Sequence, residues 1–303
     1  MLTVLITGGA GFVGSNLIKK LRNKFKIYSL DDYSTSKNHY SYEFLKNGEY
    51  KQDENLTYLY GHTTEIFEIM NNIHVDIVFH FGEFSRIDRS WYEISPLMKS
   101  LFGTTKVIEF CKKENALLVY SASSAIFSAE NGFQTSPYTW VKSTCVNLIK
   151  HYHEWYNMPY IITYFYNVYG EGQISDGPYA TVLGIFERQY KNRQNLTVVK
   201  PGTQTRCFTH ISDIIEGIMM CVNNQDIFIG KDIPIGSEDN ISIIDLAKKF
   251  TRDGLEIKYL DERKGDRKES VKVLRDYLRE NGWKCNIKLE EYIDKIVRKN
   301  ETK

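Results

Sequence analysis

The chain has 303 residues, with 39 Lys and Arg against 38 Asp and Glu, for a net charge of +1. This length can bury one large core or two modest ones. The balanced charge supplies no global field for nucleic acid or an anionic membrane. The five cysteines (Cys111, Cys145, Cys207, Cys221 and Cys285) are odd in number and lack CxxC spacing. They fit reduced thiols and speak against a metal site. No apolar run approaches membrane-spanning length. The first strand begins at Leu2 and leaves no room for a signal peptide, so the expected location is the cytoplasm.

Leu2 to Thr7 is an apolar run suited to a buried parallel strand. The turn Gly8-Gly9-Ala10-Gly11-Phe12-Val13-Gly14 follows at once. Ser15 to Lys24 then carries Leu17, Ile18 and Leu21 on one helical face, and a second strand, Phe25 to Leu30, ends in Asp31-Asp32. Strand, glycine turn, helix, strand and acid together predict a dinucleotide site. Glycines let the backbone approach a pyrophosphate, whose charge sits on free N–H groups at the helix N-terminus. A tight turn with no ligand is the bland alternative, but the acid stands at the expected distance. Asp31 can accept hydrogen bonds from a ribose 2′-OH and would repel a 2′-phosphate, which favours NAD over NADP.

Residues 32–55 have no clear period and predict a loop with a short helix. Strands are expected at 56–60, 75–79, 116–120 and 160–166, with helices at 63–71, 88–114 (kinked near Pro96) and 137–157. Ser136 and Pro137 form a standard helix start. Beyond Asn167 the expected helices lie near 179–191, 211–223, 242–251, 270–280 and 288–299, with short strands near 196–199 and 232–236. The alternation predicts an α/β fold, a Rossmann-type doubly wound parallel sheet with a smaller mixed α/β substrate lobe. The expected boundary divides 1–165 from 166–303, with some elements exchanged.

Tyr138 and Lys142 are four apart and share one helical face. An ammonium beside a phenol favours the phenolate, a usable general base. Ser123 closes the preceding strand at the carboxyl edge where ligands bind. Its hydroxyl can bond the alcohol that Tyr138 deprotonates. As an isolated pair, Tyr and Lys at this spacing would be surface decoration; behind a nucleotide fingerprint they point to oxidation of an alcohol to a ketone, or its reverse.

With these residues in place, the chain resembles the extended short-chain dehydrogenase/reductases of the NAD-dependent nucleotide-sugar epimerase/dehydratase family. The resemblance rests on Thr7 to Ser15, Asp31-Asp32, Val78-Phe79-His80, Gly103-Thr104, Ser123, Tyr138 with Lys142, Asn167 to Gly170, and Gln204-Thr205-Arg206. It ends with Gly265-Asp266-Arg267 and Gly282-Trp283-Lys284. It implies Ser123, Tyr138 and Lys142 as the catalytic set, and Gly8, Gly11, Phe12, Val13, Asp31 and Lys142 as NAD contacts. Asp32, His62, His80 and Gly82 complete the expected cofactor wall. Asn167, Arg206 and Arg267 are implied as ligands of a substrate pyrophosphate; arginine offers phosphate a planar donor fork. Family members commonly pair through two long helices, so a homodimer is expected.

The departures from the family pattern narrow the reaction. Dehydratases of the family carry Asp-Glu after the catalytic Ser or Thr; here those positions are Ser124 and Ala125, neither an acid at neutral pH. His62 replaces the usual Asp near adenine, and Ser100 replaces a common Asn. Gly82-Glu83-Phe84-Ser85-Arg86 stands where two small residues are usual. Glu83, Ser85, Arg86 and Ser124 are therefore expected near the substrate, with a Glu83–Arg86 ion pair as the structural alternative. Only fourteen residues separate Ser123 from Tyr138, a short substrate loop. The resemblance implies oxidation at C4 of a GDP- or UDP-linked sugar for surface-polysaccharide synthesis. The unusual stretch is similar to a subgroup that dehydrogenates GDP-heptoses at C4, and UDP-sugar 4-epimerisation is the alternative. A non-catalytic NAD-sensing module would keep the glycines and lose Tyr138 or Lys142; both are present.

Overall fold

The structure, a computed structural model, describes residues 1–37, 39–45, 49–251, 254–266, 268–269 and 274–301. Seven strands lead the chain: β1 (Thr3–Thr7), β2 (Lys26–Asp31), β3 (Glu49–Asp53), β4 (Leu56–Tyr60), β5 (Ile77–His80), β6 (Leu117–Ser123) and β7 (Tyr160–Phe165). With the later strand Lys231–Ile235 they form one sheet. From that strand the order runs β7, β6, β5, β1, β2, β4, β3. Every neighbouring pair is parallel except β3 against β4.

Period-two alternation sends the strand side chains to two cores. Val4, Ile6, Ile77, Phe79, Leu117 and Val119 join the core under the helices Phe12–Leu21 and Ile211–Asn223. Leu5, Val78, Leu118, Tyr120 and Ile162 join the core under the helices Ile94–Glu114 and Pro137–Tyr156. Burial on both faces explains the near-continuous apolar runs that parallel strands carry. A third core fills a smaller lobe, where Leu196–Val199 pairs with Ile257–Leu260 and the helix Val182–Lys191 packs beside Leu289–Glu301.

Several boundaries differ from expectation. The first helix starts at Phe12, because Gly11 is already its N-cap. The break in the 88–114 segment falls near Tyr92, between a short 3-10 turn and the helix that begins at Ile94. Pro96 lies in that helix's first turn, where a missing N–H costs little. The strand expected to stop at Tyr120 runs on to Ser123, held by pairing of Ser121 with Thr163 and Ser123 with Phe165. Edge strand β3 pairs on one side only, and its polar sequence carries no alternating signal. Of the helix expected over 270–280, Tyr277–Glu280 is present, and 270–273 fall outside the described residues. The strand Lys231–Ile235 joins the large sheet beside β7, so chain from beyond residue 165 builds the first core. Among the described residues no helix is long and apolar enough to cross a membrane.

The order reverses at β1, which lies between β2 and β5, and this opens a crevice at the carboxyl edge. Two glycine backbones meet there. A Cβ on Gly8 would lie 2.6 Å from the Gly82 nitrogen, and Gly8 has φ of +70°. A Cβ on Gly14 would lie 2.2 Å from the Gly8 oxygen. Gly8→Ala should therefore lose at least about 1–3 kcal/mol of stability and most NAD affinity, measured by chemical denaturation and calorimetry. A variant that keeps wild-type stability and binding would contradict the close approach.

Candidate active site

The crevice widens into a cavity of about 690 Å³. The glycine turn forms one end, with Gly8, Gly11, Phe12 and Val13 in its wall. The helix Phe12–Leu21 points its first, unpaired N–H groups into this end. Asp31 and Asp32 close β2 on the same wall, and His62 lies beyond β4. Ser123, Tyr138 and Lys142 line the opposite part, and Ser85 and Arg86 lie in the wall with them. Tyr138 and Lys142 ride the helix Pro137–Tyr156. Its start is fixed by a capping box in which Ser136 Oγ accepts from Thr139 N at 3.1 Å.

Asp31 is buried, and its two oxygens accept from Ala10 N at 3.0 Å and Tyr33 N at 2.8 Å. Burial raises its carboxyl to about 6, against the pull of those two amides. Lys142 forms an ion pair with Glu83 inside the protein; the two side chains are 6% and 3% exposed. Its ammonium also donates to the Ser121 carbonyl at 2.7 Å. Glu83 accepts further from Thr104 Oγ1 at 2.8 Å and from the Tyr120 hydroxyl at 3.0 Å. Burial alone would raise the Glu83 carboxyl and lower the Lys142 ammonium. Their mutual attraction reverses both shifts, so both are ionised. Arg86 has its guanidinium 6.0 Å from the Tyr179 ring, and its buried Nε has no hydrogen-bond partner among the described residues.

The family model for the NAD dependent epimerase/dehydratase family matches residues 4–236. The chain belongs to that family. UDP-glucuronic acid decarboxylase 6 of Arabidopsis thaliana is 25% identical over 96% of this chain and 86% of its own length. A putative UDP-glucose 4-epimerase of Methanocaldococcus jannaschii is 28% identical over 97% of each chain. Among solved structures, the UDP-N-acetylglucosamine 4-epimerase of Methanobrevibacter ruminantium superposes with a TM-score of 0.82. It is 24% identical and covers 98% of this chain and 97% of its own. The fold is thus the Rossmann-type one expected, and the protein is an NAD-dependent enzyme of nucleotide-sugar chemistry.

This epimerase/dehydratase family member has a cavity wall that fits NAD. A side chain at Gly8 or Gly14 would strike the backbone of Gly82 or Gly8 and push the turn out of shape, and Asp31 lies in the wall beside that turn. Other expected contacts are placed elsewhere. His80 lies behind the wall, because strand alternation turns it toward the helix Ile94–Glu114. Its Nδ1 is 2.6 Å from Thr7 Oγ1 and its Nε2 is 3.0 Å from Thr104 Oγ1. Ser124 is buried outside the cavity, where the chain turns in after Ser123 Oγ accepts from Ala125 N. Asn167 is not in the cavity wall either; its carbonyl accepts from Thr209 N, and its neighbour Val168 lines the cavity. Arg206 is buried in an ion pair with Asp266, away from the cavity wall. Arg267 lies outside the described residues. Glu83 does not pair with Arg86, since Lys142 claims its carboxylate. Sequence reasoning assigned no role to Thr104, Ser121, Tyr120 or Tyr179. The in-register pairing of His80 with Tyr120 brings two of the buried polar groups together.

The state of Asp31 sets a pH dependence. Below about 6 its carboxyl is protonated and loses the charge with which it would attract ribose hydroxyls. NAD affinity should fall about three- to tenfold between pH 7.5 and pH 5, and Asp31→Asn should remove the dependence. Titration calorimetry across that range checks it; a flat wild-type profile would count against Asp31 as the ribose ligand.

Proposed function

We propose that this enzyme is a nucleotide-sugar 4-epimerase working through transient oxidation at C4. The observation that carries the reading is the gathering of Ser123, Tyr138 and Lys142 in one cavity with the glycine cradle. When bound, NAD would supply the acceptor for the C4 hydride and, once reduced, the donor that returns it to the ketone. Tyr138 takes the proton of the C4 hydroxyl, and Ser123 holds that oxygen with its own hydroxyl. Lys142 offers its remaining N–H to the cofactor ribose, one turn along the helix from Tyr138. After the 4-keto sugar has turned its other face, Tyr138 returns the proton to O4.

The acids in the cavity wall are Asp31, Asp32, Glu83 and Glu93 among the described residues. The first two serve the ribose end, Glu83 is held by Lys142, and Glu93 is paired with Arg89. None is placed as the free acid that water loss needs, which speaks against a 4,6-dehydratase. The UDP-linked relatives support a UDP-sugar. The second reading is net 4-dehydrogenation, with a GDP-heptose as candidate. It is favoured by Arg86, a cation that would pin the sugar against turning; Tyr138 lies within its electrostatic reach. Mass spectrometry of products from a nucleotide-sugar panel decides between them. An isomer of unchanged mass is expected; loss of two hydrogens with NADH accumulating supports the second reading, and loss of water overturns both. Tyr138→Phe should keep NAD binding while turnover falls about 10²–10⁴-fold; unchanged turnover would remove Tyr138 from the mechanism.

We also propose that two copies pair through the long helices Ile94–Glu114 and Pro137–Tyr156. These pack against each other and leave Phe102, Trp155 and Tyr156 more than half exposed, at 54%, 59% and 53%. Exposed aromatics of this size favour an interface. Sedimentation should give a dimer, and Trp155→Glu with Tyr156→Glu should give a folded monomer. A monomeric wild type at micromolar concentration would end the proposal.

A further inference from the structure

The ion pair between Glu83 and Lys142 has no part in the chemistry described so far. A lysine this buried gives up its proton unless a counter-charge is close. Here two of its three N–H groups are committed, one to Glu83 Oε2 and one to the Ser121 carbonyl at 2.7 Å. The third is left for the cavity that Lys142 lines. Glu83 is itself fixed from behind. Burial keeps His80 neutral by lowering it to about 4, so its ring carries a single N–H. One arrangement of protons satisfies every group. Gly82 N donates to Thr7 Oγ1 at 3.1 Å, and Thr7 donates to His80 Nδ1. His80 Nε2 donates to Thr104, and Thr104 and Tyr120 both donate to Glu83 Oε1. The chain runs from the cofactor turn to the catalytic lysine without leaving the interior.

We propose that Glu83 is a positioning residue for the reaction: it keeps Lys142 charged and aims the free N–H at the cofactor ribose. The proposal rests on the reading of Lys142 as a cofactor ligand. The other groups facing the pair do not supply the charge. Tyr120 lies with its ring 5.0 Å from the ammonium, and burial raises its hydroxyl well above the usual range. Burial pushes the Cys145 thiol up to about 12. Tyr138, on the same helix as Lys142, is the proton acceptor itself. Glu83 is thus the one carboxylate bonded to Lys142 among the described residues.

NADH fluorescence measured from pH 6 to pH 10 tests this without any sugar substrate. Wild-type affinity should stay flat as pH rises through 9, because Glu83 holds the ammonium. In Glu83→Gln the lysine has no counter-charge and deprotonates at a lower pH. NADH affinity should then fall about tenfold or more between pH 7 and pH 9.5. Adding Lys142→Arg should abolish that fall, because a guanidinium does not deprotonate in this range. Thr104→Val, which loosens Glu83 without stranding a charge, should move the profile in the same direction and serves if Glu83→Gln fails to fold. Lys142→Met reports on the underlying assignment and should weaken NADH at every pH. If it does not, the reading of Lys142 fails. If it does, and the profiles of Glu83→Gln (or of Thr104→Val in its place) and wild type run parallel, the proposal for Glu83 is overturned and the pair is structural only.

Discussion

The carboxyl ends of β1 and β5 come together through bare backbone at Gly8 and Gly82, and the rest of the site is built on that contact. Any side chain at Gly8 would push the two strands apart at the point where the sheet order reverses. With them held close, the helix that follows the turn aims its N-terminus across the crevice. The ends of β2 and β6 then stand on either side of it. Asp31 is thereby set at one end of the cavity and Ser123 at the other.

Charge inside this protein is arranged by pairing. Glu83 with Lys142 and Arg206 with Asp266 each remove a cation from water and meet it with a carboxylate. Breaking such a pair leaves an uncompensated charge that costs about 3–5 kcal/mol, while its net worth to stability is small. The Glu83 pair also ties the segment after β5 to the helix that carries Tyr138. Arg86 breaks the pattern. Its Nε is buried without a partner among the described residues, and the side chain faces the same cavity as Tyr138. A half-buried cation with an unpartnered Nε is suited to an anionic or hydroxyl-rich ligand.

Much of the fold was legible because the strands of a parallel sheet are buried on both faces and read as apolar runs. Leu56–Tyr60 and Leu196–Val199 have the bounds that the pattern predicts, as does the helix Ile211–Asn223. Edge and two-residue strands were not legible. Glu49–Asp53, Val168–Tyr169 and Thr209–His210 owe their form to one neighbour each rather than to any pattern of their own. The place of Lys231–Ile235 in the large sheet was also hidden, since a strand's pattern does not say which strand it will pair with.

By itself, the sequence determined the glycine turn and the pairing of Tyr138 with Lys142 on one helical face. Glycine turns and an i, i+4 spacing act over a few residues, where local geometry is enough. Tertiary structure alone decided what surrounds them. Glu83 faces Lys142, 59 positions away, because β5 and β6 are adjacent and the helix Pro137–Tyr156 packs on β6. His80 points behind the cavity because a strand alternates, and Arg206 is drawn to Asp266 because the strand Thr205–Cys207 meets a distant loop. Electrostatic partners are chosen by distance in space and by exclusion of water, and neither is written in the spacing along the chain.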